Sequence, residues 1–394
     1  MNKKTKIILI ILFCIHLILL TLVLSNKLNS LFNDATLRKG KAADFFAVYQ
    51  AGNNILEGKS LYLDTEGIST PYSYPYRYLP FIGYSIGVLF NLLAPFTAYY
   101  LWIFINELLL LFNLYLTWKL SKSNKTFILA SIPWFIFSPY LLEMYMGQCS
   151  FLMTSLIFYS IYGLINKSKL IYSYLLAPLV KPNALILSPL FLRLKKFKLL
   201  LLNALIIILT SSIYFLFFKE DINIFLKNFS DSWYSHGGNL GFKSLYYLIF
   251  IRYLNIPLPR LWFFGFIITF GLMTLYFTFK YKDIILTYTL WICYFFLIYK
   301  DVWEHHYVLL MPVFSLLIVK YKLTINKLFS KKFILIPITF LLISLPSIFA
   351  LQYFFNTGNY VEPDTLNPLY VISYHSIKIF GVMILYFFSI NLIK

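Results

Sequence analysis

The sequence predicts an all-α, polytopic integral membrane protein, and three observations carry that prediction. Of the 394 residues 60% are hydrophobic and 12% charged, with a mean hydropathy of +0.74, outside the range of ordinary soluble domains. Apolar runs of roughly 17–25 residues recur along the whole chain, the length a helix needs to cross a bilayer. The 34 Lys and Arg crowd into short loops between those runs, as the positive-inside rule expects.

The first run, 7–25, follows a basic start, MNKKTK. It is longer than the ~7–15 residues of a cleaved signal and lacks a small-x-small site, so it reads as a retained first span. A polar stretch, 26–97, comes next and reads as a first extracytoplasmic loop with interfacial helices. Within it, ADFFAVYQAGNNIL (43–56) has apolar residues at helical spacing and predicts a short helix beginning near Asp44. Residues 80–96 could span or lie in the interface. The interfacial option is taken, because KLSKSNK then falls on the same side as the other basic loops. Further spans are expected near 98–118, 127–142, 150–166, 198–218, 261–279, 283–299, 306–320, 333–352 and 370–392. The segment 170–193 is apolar but broken at Lys181-Pro182-Asn183. Proline removes a donor and disfavours helix in its predecessor, so two short helices should meet there.

With this topology nearly all the 15 acidic residues lie on the extracytoplasmic side, Glu107 and Asp283 excepted. No nucleotide pool exists there, which argues against nucleotide-driven chemistry. The net charge of +19 belongs to loops at the membrane face, so no nucleic-acid partner is expected. Cys14, Cys149 and Cys293 sit in or beside apolar runs with no CxxC spacing, and HExxH, Walker A, GxGxxG, GxSxG and DxD patterns are absent. No metal and no cofactor is expected.

Several residues carry candidate chemistry. Asp44 is either an N-capping aspartate or a reactive carboxylate. Arg77, among the prolines and tyrosines of TPYSYPYRYLPFIGY, is either an interfacial anchor or a phosphate ligand. Lys181, a cation at a helix break in apolar surroundings, either snorkels or faces a cavity. Glu143–Gln148 reads as a short outer turn bent at Gly147. The Glu304-His305-His306 group is either a helix-capping cluster at the interface or a set of hydrogen-bonding groups for a phosphate or sugar. Adjacent histidines do not share a helix face and make a poor chelating pair.

Taken in series, these stretches resemble the GT-C superfamily of polyprenyl-phosphate-sugar-dependent glycosyltransferases, and within it glycosyltransferase family 87. The elements are Asp44-Phe45, Tyr49-Gln50-Ala51, Gly58-Lys59-Ser60-Leu61-Tyr62, Tyr78-Leu79-Pro80, Gly147-Gln148, Lys181-Pro182-Asn183 and Trp303-Glu304-His305-His306. Each is short; their order across most of the chain carries the likeness. Tyr-Leu-Pro stands where the family has Tyr-Pro-Pro, and an Asn-Gln-Ser element is reduced to Asn239-Leu240-Gly241.

The resemblance implies one GT-C transmembrane domain over 1–394 with about 11–12 transmembrane helices. It implies transfer of a hexose, mannose by family, from a polyprenyl phosphate in the membrane lipid to a hydroxyl of a glycolipid or glycan acceptor. Asp44 would be the general base. Arg77, Lys181, His305 and His306 would bind the donor phosphate, and Tyr49, Tyr78, Gln148, Asn183 and Glu304 the substrates. Among the loop acids it singles out Asp44 over Glu57, Asp64 and Glu66. The alternatives are a transporter or flippase of lipid-linked saccharides, or a polysaccharide polymerase or ligase.

Overall fold

The computed structural model describes residues 2–28, 40–63, 69–71, 74–228, 239–256, 259–346 and 368–393. Helices account for 79% of it, and no strand occurs among the described residues. Five helices are long and apolar enough to cross a membrane: Lys3–Leu24, Pro95–Leu120, Phe197–Phe217, Arg260–Lys280 and Val371–Leu392. A bent pair, Asn124–Phe135 with Ser138–Met146, makes up to six. The chain is therefore an all-α, multi-pass membrane protein. Asp64, Glu66 and residues 347–352 of the expected 333–352 span lie outside the described residues.

Several expected spans are shorter or broken. The 127–142 segment contains Pro133 and leaves the helix at Ile136, bending by 41°. His16, fully buried, meets the carbonyl of Phe135 with its Nδ1 at 2.9 Å, which satisfies a backbone acceptor that the break exposes. The segment expected at 306–320 opens as a 3-10 turn, Glu304–Leu310, and becomes α-helical only over Met311–Lys320, with Pro312 in its first turn. Pro80–Phe90 is a short helix with a π-type middle, Gly83–Gly87. At 1.5 Å per residue it reaches about half the ~30 Å hydrocarbon thickness.

Two compact units are distinguished. One draws on 1–38, 114–142 and 233–394, the other on 39–113 and 143–232. In the first, Met311–Lys320 packs on Asn124–Phe135, and Pro368–Ile393 packs on both Ile284–Ile298 and Leu335–Ser344.

In the second, the Ala43–Leu56 helix crosses the π-type turn at two glycines. A Cβ on Gly52 would stand 2.1 Å from the carbonyl carbon of Gly87, so the backbones touch where no side chain fits. The 170–193 break falls where the sequence expects it. Lys181 is extended (φ −146°, ψ 125°) between the Ala177–Val180 helix and the 3-10 turn Pro182–Leu187. The flanking pieces are shorter than two plain helices, because Pro178, Pro182 and Pro189 each restart the chain within one or two turns.

Candidate functional site

Four of the residues singled out in the sequence meet in the unit formed by 39–113 and 143–232. Asp44 lies in the first turn of the Ala43–Leu56 helix, buried. It is not the N-cap: that position is Ala42, with a left-handed backbone (φ 65°) whose N–H donates to the carbonyl of Tyr145 at 2.8 Å. The carboxylate instead sits just inside the positive end of the helix dipole.

The Gly147-Gln148 turn seats directly on this helix. Gly147 has φ +68°, and a Cβ there would come within 2.5 Å of the Phe45 Cβ, so glycine alone allows both the bend and the approach. Tyr99 steadies the turn by donating to the carbonyls of Met144 and Tyr145 at 2.9 and 3.1 Å.

Gln148 is the hub. Its Oε1 accepts from the Tyr78 hydroxyl at 2.5 Å, from Lys181 Nζ at 2.8 Å and from its neighbour's N–H, Cys149, at 3.3 Å. Three converging donors fix which end of the amide is oxygen. Lys181 Nζ also donates to Ser150 Oγ at 2.6 Å and lies 5.5 Å from the centre of the Tyr78 ring. An ammonium has three N–H donors, so one more is available to a ligand. The charges of Asp44 and Glu143 both act on Lys181.

Tyr78 is held by the loop before it. The Tyr62 hydroxyl donates to the Tyr78 carbonyl at 3.0 Å, and the rings of Tyr62, Tyr76 and Tyr78 follow one another at 5.4 and 5.6 Å. The Gly58–Tyr62 step is anchored in turn: Leu61 N–H donates to the Tyr214 hydroxyl at 2.9 Å and Ser60 to Asp221 at 2.7 Å. Burial holds the Tyr78 phenol well above its ordinary pKa, so it stays a donor. Burial likewise pushes the Cys149 thiol up to about 12, which removes it as a nucleophile at neutral pH.

Glu143, expected only in a short outer turn, and Ser150, which no motif marks, belong to this cluster. Glu143 is fully buried, and its Oε1 accepts the Phe151 N–H at 2.7 Å. A glutamate in an apolar helix end beside Gly-Gln was the available signal; its position looked like a solvated turn. Other expected residues fall elsewhere. Arg77 precedes Tyr78 but is exposed. Tyr49 is buried and donates to the Leu93 carbonyl at 2.8 Å, a packing tie. Asn183 is half-buried in the turn after Lys181. Glu57 is on the surface, bonded to Lys59 at 2.6 Å.

The other unit holds a second buried polar group. Glu304 pairs with Lys378 at 3.1 Å, and Lys378 also donates to the carbonyls of Ile343 and Leu345 at 2.6 Å each. The His305 and His306 rings stand 4.3 Å apart. His306 Nδ1 accepts the Trp303 N–H at 2.9 Å, so in the neutral ring the proton sits on Nε2. Asn239 ties its loop to 300–302, donating to the Lys300 carbonyl at 2.8 Å while its Oδ1 accepts from Val302 N–H at 3.2 Å. The reduced Asn239-Leu240-Gly241 element is thus a backbone brace.

No protein-family model matches this chain, and no curated protein matches it.

Proposed function

We propose that the chain is a membrane glycosyltransferase of the GT-C type, resembling family 87, which moves a hexose from a polyprenyl-phosphate donor to an acceptor hydroxyl on the extracytoplasmic side. The observation that supports this reading is the cluster of Asp44, Tyr78, Gln148 and Lys181. These residues are far apart in sequence and all buried; Tyr78 and Lys181 both donate to Gln148, and the Asp44 charge acts on Lys181.

Its chemistry suits an inverting displacement. The acceptor oxygen bonds to the anomeric carbon while the bond from that carbon to the phosphate oxygen breaks. The hydroxyl proton passes to Asp44, and the polyprenyl phosphate leaves with the bonding electron pair. A phosphate leaving group needs no proton, so one carboxylate suffices. Lys181, restrained by Gln148 and Ser150, turns its remaining N–H to the charge growing on the phosphate, an interaction strengthened where water is excluded. Arg77, exposed on the loop, meets the phosphate as the donor arrives. Mannose is the sugar that the family likeness favours.

The test is Asp44→Asn in a transfer assay with polyprenyl-phosphate mannose. Loss of a positioned base lowers turnover ~10²–10⁴-fold, with donor binding retained. Turnover near that of the parent protein would refute the assignment.

A further inference from the structure

The unit built from 1–38, 114–142 and 233–394 contains a half-open crevice of about 60 Å³, above the ~10–15 Å³ that one water requires. Its walls are wholly apolar. Leu129 and Pro133 come from the Asn124–Phe135 helix, Phe314 and Ile318 from Met311–Lys320, and Leu328 and Ile336 from the chain that follows. The Phe314 and Phe340 rings meet edge to face at 5.3 Å in the crevice wall.

One end of this crevice is basic. Phe137 meets Phe314 at 6.3 Å, while Leu129 and Ile318 share the crevice, so those two helices run antiparallel. The start of the first and the end of the second therefore lie at the same end, with Lys125 and Lys320. Tyr321 packs on Phe333 at 5.1 Å, which brings the start of Leu335–Ser344 to that end too. Between the two lining residues Leu328 and Ile336 stand Lys331 and Lys332, and Lys327 precedes Leu328; all three are exposed. Asp283, at the start of Ile284–Ile298, is already paired with Lys320.

An apolar slot whose lining segment carries exposed lysines beside Leu328 and before Ile336 matches one chemistry: an acyl chain carrying an anionic head group. We propose that this crevice binds an anionic phospholipid, one acyl chain between the three helices and its phosphate among Lys327, Lys331 and Lys332. The slot offers no hydroxyl or amide side chain for a saccharide, and its lysines give no advantage to a zwitterionic lipid of the same chain length. This site is separate from the Asp44 cluster and stands whether or not the chain transfers sugars.

The experiment uses the full chain purified in a neutral detergent, titrated with dioleoyl phosphatidylglycerol, dioleoyl phosphatidylcholine or a polyprenyl phosphate. Native mass spectrometry counts the bound lipid, and thermal melting follows its effect. Phosphatidylglycerol is expected to bind and raise Tm, with phosphatidylcholine leaving Tm unchanged. Lys327→Gln, Lys331→Gln and Lys332→Gln combined lie on an exposed segment. Together they should weaken phosphatidylglycerol about 100-fold, at roughly 1 kcal/mol for each lysine. Ile336→Trp, which fills the slot, should abolish binding while the lysines remain. Equal binding of phosphatidylcholine, undiminished binding in either variant, or preference for the polyprenyl phosphate would overturn the proposal.

Discussion

Replacing Lys181 by methionine keeps the apolar stem of the side chain and removes its charge. Two charge-assisted hydrogen bonds disappear, to Gln148 and to Ser150. Bonds of this kind contribute ~1.5–3 kcal/mol each. More costly is what stays behind: Asp44, buried, loses the cation that its charge acts upon. Removing one partner of a buried ion pair costs ~3–5 kcal/mol, because the other is left uncompensated. We take ~4 kcal/mol, which at ~2–4 °C per kcal/mol lowers Tm by about 10 °C. The assay is thermal unfolding in detergent, run as a double-mutant cycle with Asp44→Asn. The asparagine is close to the aspartate in shape and deletes the stranded charge. The double variant should therefore recover ~1–3 kcal/mol relative to the sum of the singles. A Lys181→Met protein that melts within about 2 °C of the parent, or a cycle that closes without coupling, would show that these groups do not act as a charge-balanced set.

Two further outcomes follow from the same unit. Gly52→Ala drives a methyl group into the Gly87 backbone and should destabilise by ~1–3 kcal/mol or more, read as a lowered Tm; an unchanged Tm would mean that the two segments do not touch. Cys149, its thiol held neutral up to about 12, should resist maleimide in the folded protein at pH 7 and equally at pH 9, and react once the protein is denatured. Labelling that accelerates between those pH values as for an ordinary thiol would refute its burial.

The helical, membrane-spanning character was legible in the apolar runs, and the break at Lys181 in a single Lys-Pro dipeptide, because proline acts locally. Span lengths were less so. Residues 127–142 and 306–320 look continuous in hydropathy, yet Pro133, the turn at Ile136 and the 3-10 start at Glu304 depend on hydrogen-bond geometry that hydropathy does not register. In the candidate site, Asp44, Tyr78, Gln148 and Lys181 were legible through short motifs taken in series. Glu143 and Ser150 were not, since their burial comes from the way the Gly147 turn folds onto the Phe45 helix, a tertiary fact without a local sequence mark. Asp44 also looked like a cap. The structure gives that position to Ala42, because a left-handed residue whose N–H is taken by Tyr145 starts the helix two residues earlier.

Lys378 has a consequence for how the chain ends a helix in apolar surroundings. Leu335–Ser344 stops with carbonyls that, in a soluble protein, water would cover. Here two of the carbonyls at that end, Ile343 and Leu345, accept hydrogen bonds from one ammonium that is itself neutralised by Glu304. The lysine acts as an internal hydration shell, carried on a neighbouring helix. Backbone can therefore leave the helical state without drawing solvent or lipid head groups to it, and Glu304 is held in place by the same charge that lets the helix end.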